Sequence, residues 1–154
     1  MPNYWLLLVR EDNFSFIKEH NIYGCRDVGC RWAMKKVSKG DIVITYVIKE
    51  GCTNYCSSFT GAFMVISDWV KNEKPTFPDE VKANHIIYEY IIHLKPIVIG
   101  KLNIYDVIQK LSFTREQRLN KALHSVAPTY SFSKPLPEDD AEIIINELKK
   151  RASK

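Results

Sequence analysis

Apolar and polar positions alternate along the chain in blocks that read as secondary structure. Tyr4-Trp5-Leu6-Leu7-Leu8-Val9 is a continuous apolar run closed by Arg10-Glu11-Asp12-Asn13, which predicts a buried strand. Asp12 is then expected to cap a short helix through about His20, with Phe14 and Ile17 on one face, and Asn21-Ile22-Tyr23-Gly24 ends it. Residues 25–40 form a basic connector with a helical turn over 32–37. Lys39-Gly40-Asp41 is a turn, and β-branched residues dominate the strand predicted over 41–48. Residues 51–58 read as a polar hairpin loop and 59–66 as the next strand, where Gly61 marks a bulge or a close approach.

The second half is less regular. A long polar loop is expected over 69–84, with Pro75 and Pro78 inside it; a loop of that length is usually functional or disordered. A strand follows over 85–94 and continues past a kink at Pro96. Asn103 is placed to cap a helix with Ile104, Val107, Ile108 and Leu111 on one face. Thr114-x-x-Gln117 has the spacing of a capping box, residues 125–137 read as irregular, and Pro137-Glu138-Asp139-Asp140 opens a last helix. Its acidic start and its Lys149-Lys150-Arg151 end both suit the helix dipole. Phe14, Tyr46 and Phe63 are expected in the core. Strands joined by short loops, with helices at the edges, predict a single α+β domain built on a mixed, barrel-like sheet of about five to six strands.

Composition narrows the class. With 45% apolar and 26% charged residues, the chain matches ordinary globular averages and is neither collagen-like nor a coiled coil. No apolar run approaches the roughly 18 residues of a membrane helix. Leu6–Val9 is too short for a signal segment, and no basic start precedes it, so a cytoplasmic location is expected.

The net charge of +4 is concentrated. Residues 21–40 hold Arg26, Arg31, Lys35, Lys36 and Lys39 against Asp27 alone, so this stretch carries the whole excess. Such a patch either attracts phosphates or is a solvated face beside a turn. Four cysteines stand as Cys25-x4-Cys30 and Cys52-x3-Cys56. The spacing does not match the strong zinc signatures, and no metal is expected. A disulfide framework is not expected in a mesophilic cytosolic protein, although thermophilic archaea are an exception. Free thiols, bridged thiols and a four-thiolate site therefore all stay open. Phosphate-loop, dinucleotide-binding, zinc-protease and nucleophile-elbow motifs are absent. His20, His85, His93 and His124 lack ligand spacing, and Glu89, between Tyr88 and Tyr90, reads as an exposed strand residue. Neither a catalytic role nor a cofactor is expected.

Most of the 18 aromatics belong in a core, but three are placed for a site. Tyr23 follows the first helix beside Gly24, Trp32 lies inside the basic connector, and Trp69 begins the long polar loop. Aromatic faces next to positive charge suit an unpaired or flipped base, with stacking for the ring and cations for the phosphates. The bland alternative is a set of plugs covering a barrel end.

An ordered set of short segments resembles the EVE domain. They are Tyr4–Leu8, Asn13-Phe14, Ile22-Tyr23-Gly24, 37–41 with the strand Ile42–Tyr46, 61–68, Tyr88 through Pro96, Phe113 and 135–140. The resemblance covers about residues 3–150 and is closest to the small single-domain archaeal members. It implies a PUA-like fold similar to YTH domains, and a pocket for a modified base such as methylcytosine, hydroxymethylcytosine or N6-methyladenine. Tyr23 beside Gly24 falls at one wall of the implied pocket and Trp69 near a second. Arg10, Asp12 and Asn13 fall at the turn that supplies polar contacts, with Asn21 and Trp32 grouped in the same pocket. Arg26, Arg31, Lys35, Lys36 and Lys39 would face phosphates. The implied partner is DNA or RNA with a modified base, bound by a monomer or weak homodimer. Three alternatives are a PUA-type RNA binder indifferent to modification, a protein-interaction module and a nucleotide-processing enzyme. Many members have Trp where this chain has Tyr23, and the two cysteine pairs fall outside the family pattern.

Overall fold

The computed structural model describes residues 2–25, 33–112 and 135–152. Six strands form one mixed sheet: β1 (Tyr4–Val9), β2 (Ile22–Cys25), β3 (Ile42–Val47), β4 (Ser58–Val65), β5 (Val70–Lys71) and β6 (Tyr90–Asn103). The strand order is β1-β3-β4-β6-β2, with β5 paired to β6, which gives the expected α+β half-barrel. The β1–β3 pair is parallel, with Tyr4 opposite Ile42 and Val9 opposite Val47, and the other pairs are antiparallel. Helix α1 (Glu11–His20) is the crossover between β1 and β2. Helix α2 (Pro78–Ala83) lies between β5 and β6, and α3 (Glu138–Ala152) packs on β6 and β4.

Two apolar clusters sit against the sheet. One joins Trp5, Leu7, Phe14, Ile17, Phe63 and Phe77 on the α1 side. The other joins Leu6, Ile44, Tyr46, Phe59, Leu102 and Leu148 under α3. Alternation in β1 explains the division, since Trp5 and Leu7 face one cluster and Leu6 the other. Phe14, Tyr46 and Phe63 are all core residues, as their positions predict. Gly61 sits at a register shift, where an added Cβ would lie 2.9 Å from the Phe63 ring.

Several boundaries differ from expectation. Arg10, with an extended backbone, occupies the N-cap of α1 and makes no side-chain cap bond. Asp12 lies inside the first turn, where its Oδ1 accepts the Asn13 N–H at 2.9 Å. The segment after α1 is not merely a stop: Asn21 closes the helix in the left-handed region (φ 58°), and β2 begins at once against β6. Residues 85–89 precede β6 rather than belonging to it. Asn103 does cap, accepting the Tyr105 N–H at 2.9 Å, but two 3-10 turns follow instead of one α-helix. Ile104, Val107, Ile108 and Leu111 are nonetheless all buried. The capping box at Thr114, Phe113, His124 and the irregular stretch to 134 lie outside the described residues.

The expected long loop over 69–84 contains β5 and α2, and one carboxylate organises it. Glu80 is fully buried and accepts backbone N–H groups from Thr76 (3.1 Å), Phe77 (3.0 Å), Ile87 (2.8 Å) and Tyr88 (2.9 Å). The Asn72 amide donates to both of its oxygens, at 3.3 and 3.2 Å. Burial alone would push this carboxyl up, but the backbone donors outweigh it and the net displacement is downward.

Cys52 and Cys56 are joined by a disulfide, and Cys25 is disulfide-bonded as well. Of the three states the spacing leaves open, these cysteines adopt the bridged one, which a mesophilic cytosolic setting would not favour, and all three lack the free thiolate a metal site needs. Cys30 lies outside the described residues, and among those described no cluster of metal-ligating side chains occurs. Nor is any described helix long and apolar enough to cross a membrane.

Candidate nucleic-acid interface

The site grows out of an irregularity where β4 passes into β5. Val65 pairs with Leu94 and Val70 with Ile91, so Ile66 to Trp69 lie opposite only Ile92 and His93. The extra residues bulge out. Ser67 Oγ holds the bulge by accepting the His93 N–H at 2.9 Å. A bulge re-aims the side chain it carries, and here that side chain is Trp69. The half-buried indole donates through Nε1 to the carbonyl of Val37 at 3.1 Å.

Val37 ends the helical turn over 33–36, closed by its own N–H to the Ala33 carbonyl at 2.8 Å. The following turn is fixed by buried Asp41. One of its carboxylate oxygens accepts the Ser38 N–H and the Trp5 indole N–H, each at 3.0 Å, and the other accepts the Asn3 N–H at 3.1 Å. Gly40, at φ 97°, supplies the left-handed backbone this turn requires, and its N–H reaches the Val65 carbonyl at 2.8 Å.

Between bulge and turn lies a cavity of about 210 Å³, lined by Met34, Val37, Ser38, Lys39, Ser67, Asp68 and Trp69. That is below the roughly 300–1,000 Å³ of pockets for drug-sized ligands, and suits a single ring system. Its lining residues carry an indole, a thioether, two hydroxyls, a carboxylate and an ammonium, and the Ser67 hydroxyl is already engaged, accepting the His93 N–H and donating to the Asp68 carbonyl. Lys35 and Lys36 are exposed on the helical turn that leads into it.

A family model of the EVE domain matches residues 3–147. The chain belongs to this family. Archaeal relatives span most of its length, among them a UPF0310 protein of Saccharolobus solfataricus, 31% identical over 95% of each chain, and one of Pyrococcus abyssi, 28% identical over 92% of this chain and 96% of the other. The fold is that of YTH domains. The Mmi1 YTH domain superposes with a TM-score of 0.58 at 15% identity, covering 96% of both chains. The YTH domain of Zygosaccharomyces rouxii MRB1, solved with N6-methyladenosine RNA, superposes at 0.53 and 9% identity, covering 87% of this chain and 90% of the other.

In this EVE domain the residues singled out by sequence fall into three groups. Trp69 and Lys39 meet at the cavity. Tyr23 is half-buried on β2 opposite Ile92, while Val70 meets Ile91 from the other side of β6. Tyr23 and the strand beginning beside Trp69 thus stand two strand spacings apart, roughly 9–10 Å, and Tyr23 does not line the cavity.

Asn13 and Gly24 form the second group. Buried Asn13 donates through Nδ2 to the Tyr88 hydroxyl at 2.8 Å, and that hydroxyl donates to Asp79 at 2.6 Å. Asn13 Oδ1 and Asn21 Oδ1 are buried without a hydrogen-bond partner among the described residues. Gly24 is closed over by aromatics, since an added Cβ would lie 2.7 Å from Tyr88 Cβ and 2.9 Å from the Phe77 ring. Arg10 and Asp12 form the third group. They pair with each other at 3.5 Å, and Arg10 turns toward Glu50 at 3.7 Å. Trp32, Arg26 and Arg31 lie outside the described residues.

Sequence reasoning missed Met34, Val37, Ser38, Ser67 and Asp68 as lining residues and Asp41 as the anchor of the turn. The Lys39-Gly40-Asp41 turn was the available signal for the last. Nothing local marks Val37, because its role is carried by a backbone carbonyl.

Proposed function

We propose that this EVE domain binds nucleic acid and takes one modified base, turned out of its strand, into the cavity walled by Trp69. Methylated or hydroxymethylated cytosine and N6-methyladenine are the candidate bases. The reading rests on one observation above all: the Trp69 indole is held by the Val37 carbonyl, and Trp69 and Lys39 line the same ring-sized cavity. Family membership and the fold shared with a YTH domain solved on N6-methyladenosine RNA support it.

Recognition then needs no bond chemistry. Stacking on the indole is worth about 1–3 kcal/mol per base. Burying one methyl group against Met34 and Val37 adds about 0.8 kcal/mol, only a several-fold preference. Polar contacts from Ser38, Ser67 and Asp68 to the base edge supply the remaining discrimination. Lys39 and Lys35 neutralise phosphates, which makes the affinity salt-dependent.

Fluorescence anisotropy at one fixed salt concentration tests this, with matched DNA and RNA probes, plain or carrying each modification. A preference of about tenfold for one modified probe, or about 1.4 kcal/mol, is the expected result. Equal affinity for modified and unmodified RNA would instead favour a PUA-type binder that reads shape.

A further inference from the structure

The disulfide between Cys52 and Cys56 closes a loop whose three inner residues all point their N–H groups at one atom. Thr53, Asn54 and Tyr55 donate to Oε1 of Glu11 at 3.0, 2.9 and 2.7 Å. The Thr53 hydroxyl donates to the other carboxylate oxygen. Successive backbone N–H groups aimed at one point make an anion nest, and the anion here is the first residue of α1. The same loop places the Tyr55 ring edge-on to Phe14, with centroids 5.3 Å apart. It therefore clasps the start of the helix that carries Asp12 and Asn13.

This bridge is placed to open. Both cysteines are only half-buried, so a thiolate can reach them. They are four residues apart, and so short a loop gains little chain entropy from closure.

We propose that Cys52–Cys56 is a redox-active pair, opened by dithiol reductants, and that its oxidised state is coupled to the seating of Glu11 in the loop. One thiolate of the dithiol attacks a sulfur, the S–S bond breaks, and a mixed disulfide forms. The second thiol of the reductant displaces the cysteine from it. Two electrons pass to the protein, the reductant leaves as a disulfide, and Cys52 and Cys56 each end as a protonated thiol. Without closure the three N–H groups lose their common aim. By linkage, whatever Glu11 contributes to the closed loop also favours the oxidised pair.

The full-length chain is equilibrated in buffers of reduced and oxidised dithiothreitol and alkylated, and the 52–56 peptide is weighed. Glu11→Gln should open the bridge at about a tenfold lower ratio of reduced to oxidised reagent, or about 30 mV. The peptide carrying Cys25 should keep its midpoint. Amide exchange at 53–55 should accelerate on reduction of the wild-type chain, and also in Cys52→Ser/Cys56→Ser, which does not depend on the Glu11 variant folding. A midpoint unmoved by Glu11→Gln, or exchange at 53–55 indifferent to the bridge, overturns the proposal.

Discussion

Trp69 donates its indole N–H to the carbonyl of Val37, 32 residues earlier, at 3.1 Å. This bond joins the bulge after β4 to the end of the basic connector. It fixes which way the aromatic wall of the site is turned. Replacing Trp69 by Phe keeps a ring but removes the donor. The expected result is weakened, not abolished, binding of nucleic acid, with the intrinsic stacking retained and its orientation lost. Isothermal titration of Trp69→Phe beside Trp69→Ala measures the two contributions separately.

Gly24 and Gly100 make a matched pair in the sheet. A Cβ at Gly24 meets Tyr88 at 2.7 Å and Phe77 at 2.9 Å, whereas one at Gly100 finds its nearest atom, the Leu148 carbonyl oxygen, at 3.4 Å. Gly24→Ala should cost about 1–3 kcal/mol through overpacking. Gly100→Ala should be neutral or slightly stabilising, because Gly inside a strand carries an entropic cost. Urea denaturation of both variants decides whether Gly24 serves packing.

Glu80 predicts both a mutational and a pH effect. Glu80→Ala removes the acceptor of four backbone N–H groups, buried at Phe77 and half-buried at Thr76, Ile87 and Tyr88, and leaves the Asn72 amide only the Tyr88 carbonyl, so it should cost about 3 kcal/mol or more. Its carboxyl is held below the ordinary value, so its contribution is present above pH about 4.3, the unfolded value, and is lost as pH falls through the folded one. Glu11 and Glu147, both lowered to about 2, act in the same direction. The Thr53 hydroxyl holds the first, and Arg151 and Lys110 hold the second. Stability should therefore fall as pH drops from about 4.3 toward about 2. Denaturation midpoints through that range should show a shallower decline for Glu11→Gln than for the wild type.

The elements legible in the sequence were those with their own strong pattern. The apolar run of β1, the β-branched run of β3 and the charge-graded α3 form much where they were expected. The two short strands were not legible. Four residues of β2 and two of β5 exist because β6 offers a ladder on both sides, which local propensity does not encode. The polar stretch holding α2 looked like a loop because its organiser, Glu80, is a charged residue buried among backbone donors. At 104–111 the apolar spacing identified the buried face but not the helix type, since two successive 3-10 turns bury the same residues. In the site, Trp69 and Lys39 stood out as an aromatic and a cation. The bulge that brings Trp69 to the cavity Lys39 also lines depends on register across β6, and register is set by the assembled sheet.

The basic connector gives a salt-dependent prediction. Lys35 and Lys39 are exposed beside the cavity. Lys35→Glu and Lys39→Glu should weaken all probes by similar factors. For every phosphate that is no longer neutralised, the slope of log affinity against log salt should become shallower by roughly 0.7 for a single strand. The preference between modified and plain probes should stay unchanged, because phosphate contacts position the strand and do not read the base. Affinities measured across a series of salt concentrations give the slopes directly.

The most direct test of the central claim compares Trp69→Ala with Tyr23→Ala on one modified probe and its unmodified match, by anisotropy at fixed salt. Trp69 walls the cavity and Tyr23 does not. Trp69→Ala should therefore abolish the preference and lower affinity by about tenfold or more, the stacking being worth about 1–3 kcal/mol, while Tyr23→Ala should keep most of both. Full preference retained by Trp69→Ala, with Tyr23→Ala losing it, would contradict the account and move the base to the other side of β6.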